Sequence, residues 1–98
     1  MEVEFDDKEL QQAERDPTCT GGHAEAVTKG FRRVMQQIRA AADERDLYAF
    51  KSRRFEKLKG KRQHQHSLRI NDQWRLIVEI RGEAPNKKIG IVAIEDYH

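Results

Sequence analysis

Midway along the chain the apolar residues change their spacing from three or four to two, and this change limits the fold more than any other feature. Between residues 23 and 45, Val27, Phe31, Val34, Met35, Ile38, Ala41 and Ala42 recur at helical intervals, which predicts one long amphipathic helix with its stripe in the core. The opposite side carries Lys29, Arg32, Arg33, Gln36, Gln37, Arg39 and Glu44 and suits water or a partner. Gly30 lies inside the pattern and weakens it a little. Further on, His66, Leu68 and Ile70 alternate with Ser67, Arg69 and Asn71, and Trp74, Leu76, Val78 and Ile80 alternate with Arg75, Ile77, Glu79 and Arg81. Two strands follow, and Asn71, Asp72 and Gln73 between them have the chemistry of a tight hairpin turn. Arg69 and Arg75 then fall near each other on one face.

The remaining segments fit around this frame. Val3 and Phe5 alternate with Glu2 and Glu4, as in an opening strand, and Asp6 or Asp7 can cap a weak helix over Lys8 to Arg15 that Asp16 and Pro17 end. Thr18 to Gly22 is a connection whose paired glycines form no phosphate cradle. Phe55 and Leu58 flank a short extended piece that leads to a turn at Lys59 and Gly60, with a further turn at Gly82 to Asn86. A last strand over Lys87 to Ile94 uses Ile89, Ile91 and Ala93 or their alternates, so Glu95 to His98 project from its end. The expected fold is α+β: an N-terminal strand and two helices packed on one face of a mostly antiparallel sheet of four to five strands, its other face partly open. With 98 residues, a single domain over residues 1–98 is expected.

Charge is segregated along the chain. Residues 1–50 hold 7 Lys and Arg against 11 Asp and Glu, and residues 51–98 hold 12 against 6. Seven of those cations lie in Lys51 to Arg62, where Glu56 is the single anion, as expected of a surface that meets a polyanion. One cysteine, Cys19, cannot form an intrachain disulfide, and no run reaches the roughly 20 apolar residues of a membrane helix. A soluble, cytoplasmic protein with no membrane contact is expected.

The chemistry such residues support is phosphate chemistry. RNA carries its own nucleophile, the 2′-hydroxyl, so cleavage needs a base, an acid for the leaving 5′-oxygen, and cations for the charged phosphorane, without a metal or cofactor. Lys59, Lys61, Arg62, Arg69 and Arg75 gather around one turn and two strands, with Lys57 just before them. His98 suits proton transfer near neutral pH, Tyr97 can donate a hydrogen bond or stack on a base, and Asp96 can orient His98 or act as a base. Trp74 is either core or a base-stacking surface. His64 and His66, two apart, would share one face of a strand, but no Cys, Asp or Glu at ligand spacing completes a metal site.

The run LKGKRQHQHSLRINDQWRL, followed by a chain end EDYH, resembles the HigB-like branch of the RelE/ParE toxin superfamily, the toxin halves of bacterial type II toxin–antitoxin pairs. The resemblance is clearest over residues 53–98. It implies a ribosome-dependent messenger-RNA endonuclease on a microbial-ribonuclease-like fold, neutralised by a helix-turn-helix, HigA-like antitoxin. The toxin alone is then a monomer, and its complex a heterotetramer with a dimeric antitoxin. The resemblance also implies that Lys59 binds phosphate, that Arg75 contacts the scissile phosphate, and that Asp96, Tyr97 and His98 form the acid/base end of the site. Glu56 stands where related toxins can have a histidine, and its carboxylate can serve as base without bringing positive charge. Lys57, Lys61, Arg62, Arg69 and Trp74 are the expected RNA contacts. Two other readings compete: a ParE-like, non-catalytic inhibitor of DNA gyrase, and a plain RNA-binding module.

Overall fold

The computed structural model describes residues 1–96, so the expectations for Tyr97 and His98 lie outside the described residues. Along the chain come β1 (Glu2–Phe5), α1 (Lys8–Arg15), α2 (Glu25–Ala40), α3 (Glu44–Ala49), β2 (Glu56–Lys57), β3 (His66–Arg69), β4 (Trp74–Arg81) and β5 (Lys88–Asp96). Single 3-10 turns occupy Lys51–Arg53 and Gly60–Arg62. The five strands form one sheet in the order β1-β5-β4-β3-β2. β1 runs parallel to β5, and the other neighbours are antiparallel. This is the expected α+β arrangement.

One sheet face is buried under the helices. Phe31, Val34, Met35 and Ile38 of α2, with Leu10 and Ala13 of α1, pack with Leu68, Leu76, Val78, Ile89 and Ile91 of the sheet. Each fully buried large side chain contributes about 1.5–3 kcal/mol relative to exposure, so this layer holds the molecule together. A Cβ on Gly30 would come within 2.7 Å of Ile70 Cγ2. The glycine that weakens α2 therefore lets the β3–β4 hairpin close against it.

The apolar spacing over residues 23–45 does not form one helix. α2 stops at Ala40 because Ala41 is extended (φ −69°, ψ 138°), and Asp43 starts α3 by accepting from the Arg45 amide at 2.9 Å. Asp46 in turn accepts from the Ala42 amide at 2.8 Å, a reciprocal arrangement like a capping box. Arg32, expected to face water or a partner, instead donates to the carbonyls of Ala13, Asp16 and Cys19 at 2.7–3.1 Å and ties down the α1–α2 connection.

The hairpin forms as its turn chemistry predicts, with Asn71 Oδ1 accepting from the amides of Gln73 and Trp74 at 2.9 Å. β5 holds the less obvious feature. Ile77 lies opposite Ala93 and Val78 opposite Ile91, which leaves Val92 as an extra residue in the ladder. This bulge shifts the alternation by one. Ile89 and Ile91 face the helices, while Ala93 and Glu95 face the other way.

Candidate functional site

Residues directly opposite each other on antiparallel strands share a face, so the register builds the outer face in rows. One row is Glu56, Ser67, Ile77 and Ala93, and the next is Arg69, Arg75 and Glu95. Arg69 and Arg75 are direct cross-strand partners, as the hairpin requires. The segment 58–65 curls over these rows, closed by the Leu58 amide donating to the Gln65 carbonyl at 2.9 Å. Gly60, at φ 69°, permits the turn.

Between this segment and the sheet lies a cavity of about 230 Å³, lined by Leu58, Arg62, Ser67, Arg75, Ile77, Glu95 and Asp96. Arg75 is 6% exposed and Ser67 1% exposed, so both belong to its floor. Arg62 spans the mouth: its Nη1 and Nη2 donate to the two carboxylate oxygens of Glu95 at 2.9 and 2.8 Å. Its Nε donates to Gln65 Oε1 at 3.0 Å. The carboxylate holds the Arg62 guanidinium above its ordinary pKa. Ser67 Oγ is buried and has no hydrogen-bond partner among the described residues. At the end of β5, Asp96 accepts from Gln73 Nε2 at 3.1 Å.

The expected site residues are only partly gathered here. Arg62, Arg75 and Asp96 line the cavity, and Glu56 lies in the adjoining row, directly across from Ser67. Lys59 and Lys61 are exposed on the covering segment. Arg69 turns to Asp72, to which its Nη2 donates, and Arg53 donates to its carbonyl at 3.2 Å. By register Lys57 lies on the helix side, opposite His66. Trp74 also lies there, packed on the core and edge-on to His23 at 5.6 Å. Glu95 and Ser67 had no expected role, because neither the bulge at Val92 nor the reach of Arg62 is written in a local pattern.

The two histidines do not share a face. The strand begins only at His66, which stacks on Phe55 at 4.7 Å on the helix side, with Tyr48 edge-on to Phe55. Burial, and then the nearby Lys57, push the His66 imidazole below its ordinary pKa. His64 sits in the preceding turn, its Nε2 3.8 Å from Glu79 on the outer face. Among the described residues no group of three His, Cys, Asp or Glu is placed to hold a metal ion, and no helix is long and apolar enough to cross a membrane.

The far half of the outer face is different. Arg81 lies over Gly90, where a Cβ would overlap its guanidinium. It donates to Glu4, Asp6 and Glu79 at 2.6–3.3 Å. These three carboxylates use every donor direction the guanidinium offers.

Residues 3–95 match the family described as the RelE-like toxin of the type II toxin–antitoxin system HigB. No curated protein matches the chain in sequence. Among solved structures, a YoeB/ParE toxin from Agrobacterium tumefaciens is similar at a TM-score of 0.61 and 12% identity, over 100% of both chains. A chain from the YoeB-YefM complex of Staphylococcus aureus is similar at a TM-score of 0.59 and 20% identity, over 100% of this chain and 97% of that one.

Proposed function

The chain belongs to the HigB family of RelE-like type II toxins, and from that premise we propose that it is a ribosome-dependent messenger-RNA endonuclease that works without a metal. The observation that carries this reading is the buried Arg75 at the floor of a cavity whose mouth is held by Arg62, with Glu56 one row away. A guanidinium shielded from water stabilises a phosphorane more strongly than an exposed one, because screening falls with the local dielectric.

In this mechanism the substrate's 2′-oxygen attacks the adjacent phosphorus as Glu56 takes its proton. Arg75 and Lys59 stabilise the charge that builds on the phosphoryl oxygens. The bond to the 5′-oxygen breaks, and that oxygen takes a proton from the acid end of the chain, Asp96, Tyr97 and His98. The products are a 2′,3′-cyclic phosphate and a 5′-hydroxyl. Lys57, Lys61, Arg62, Arg69 and Trp74 complete the RNA contacts, with Lys57 reaching RNA around the β2 edge and Trp74 around the start of β4 rather than within the cavity.

The toxin acts in the cytoplasm as a single domain over residues 1–98. Its partner is a dimeric helix-turn-helix antitoxin, in a heterotetramer. That one structural neighbour comes from a YoeB-YefM complex supports a protein partner. The test is induced expression in bacteria with the 5′ ends of cellular messages mapped. Wild type is expected to produce new ends within coding regions, and Lys59→Ala and His98→Ala to produce few. DNA damage without message cleavage would replace this reading with gyrase inhibition, and salt-dependent RNA binding without scission would reduce it to a binding module.

A further inference from the structure

The cavity holds an anion of its own. Glu95 lies directly across the sheet from Arg75 and presents both carboxylate oxygens to the fork of Arg62. A carboxylate and a phosphate offer a guanidinium the same pair of oxygens at nearly the same spacing. Beneath this pair the Ser67 hydroxyl, 1% exposed, has no partner among the described residues. A buried hydroxyl without a partner costs free energy in the folded protein, and Ser67 lines the cavity beside Arg62 and Arg75.

We propose that Arg62, Ser67 and Arg75 form a phosphate subsite, and that Glu95 is a built-in competitor which an RNA phosphate displaces from Arg62. The Arg62–Glu95 bridge is the movable part. Its side chains are 46% and 40% exposed, and exposed ion pairs exchange partners readily because they are worth little on their own. Ser67, fixed in β3, donates its hydroxyl hydrogen to a phosphoryl oxygen and so positions it beside Arg75. Glu95 therefore weakens the grip on phosphate and leaves the bound form easy to release. The inference rests on the ribonuclease reading only in taking RNA as the source of the phosphate.

The experiment titrates inorganic phosphate into the full chain and follows the arginine side-chain signals by NMR. Glu95→Gln is expected to bind phosphate roughly fivefold more tightly than wild type, and Ser67→Ala roughly fivefold more weakly. In an Arg62→Ala background the effect of Glu95→Gln should vanish, since no fork remains to be released. If Glu95→Gln binds no more tightly, or if its gain persists without Arg62, the competitor role is wrong. Unchanged affinity in Ser67→Ala removes the serine from the subsite. Each variant is also induced in cells. Phosphate affinities that follow this order without any message cleavage would sustain the subsite and overturn the ribonuclease reading. Cleavage without that order would do the reverse.

Discussion

Arg81 and Arg62 stand on the same face of one sheet, each with a carboxylate across its fork, yet they are built for opposite ends. Arg81 is 28% exposed at its side chain, lies flat over Gly90 and is held by Glu4, Asp6 and Glu79. Its guanidinium is pushed well above its ordinary pKa, first by the hydrogen bonds to Asp6. Arg62 is 46% exposed, stands at the end of a 3-10 turn, and has one carboxylate and one amide for partners. A guanidinium whose donors are all used by its own protein ties strands together. One that shares a single carboxylate can exchange it for a phosphate. On the proposed function, the number of internal partners, more than the presence of positive charge, separates the structural half of this face from the half that would meet substrate.

The largest effect is expected at Arg75. Arg75→Ala is expected to lower message cleavage by about 10²–10³-fold, the usual cost of removing one buried donor to the transition state, while circular dichroism remains that of the wild type. Gly90→Ala attacks the other half. Its methyl group would displace the Arg81 guanidinium, the end of a flexible side chain that can swing aside, so the cost in urea unfolding is at most that of giving up the Arg81 bridges, about 1–2 kcal/mol. Cleavage per folded molecule should be unchanged. Arg81→Ala leaves three carboxylates facing one another and should cost about 1–2 kcal/mol, again without loss of cleavage.

Acid sharpens the same contrast. Arg81 lowers the pKa of Glu4 and Asp6 by donating to them, and Gln65 and then Arg81 lower that of Glu79. Because the folded values lie below the unfolded ones, the stability they contribute is present above about pH 4.5 and is lost as pH falls through the folded values. His66, depressed by burial and Lys57, adds an earlier loss that begins below about pH 6.5. Urea midpoints taken across this range should fall in two stages, and Arg81→Ala should flatten the lower one. The smallest effect is expected at the surface of α2, where Lys29 pairs with Glu25 at 3.2 Å and both are exposed. Lys29→Ala should change stability by less than about 0.5 kcal/mol and cleavage not at all.

How much of this was legible depends on whether the governing contacts are local. The hairpin was, because Asn71 caps its own turn and a tight turn sets the register that pairs Arg69 with Arg75. The break between α2 and α3 was legible in part. Asp43 and Asp46 have the spacing of a reciprocal cap, but Ala41 and Ala42 continue the apolar stripe and mask it. Gly30 reads as a defect until Ile70, forty residues away, is seen against it. Glu95 was the least legible. Strict alternation from Ile89 and Ile91 would turn it toward the helices, and only the extra residue at Val92 brings it beside Arg75. Of the partners of Arg81, Glu79 is two residues away in the same strand, but Glu4 and Asp6 are 77 and 75 residues away, and no local spacing announces those two.

On the proposed function the two halves of the outer face are separable, one handling phosphate and the other holding the sheet. The most direct measurement compares Arg75→Ala with Arg81→Ala for cleavage of message after induction, with the folded fraction of each measured in the same cells. The expected result is an Arg75→Ala protein that is folded and silent, and an Arg81→Ala protein that is less stable but cuts at the wild-type rate per folded molecule. A cleaving Arg75→Ala, or a folded Arg81→Ala that no longer cuts, would contradict it.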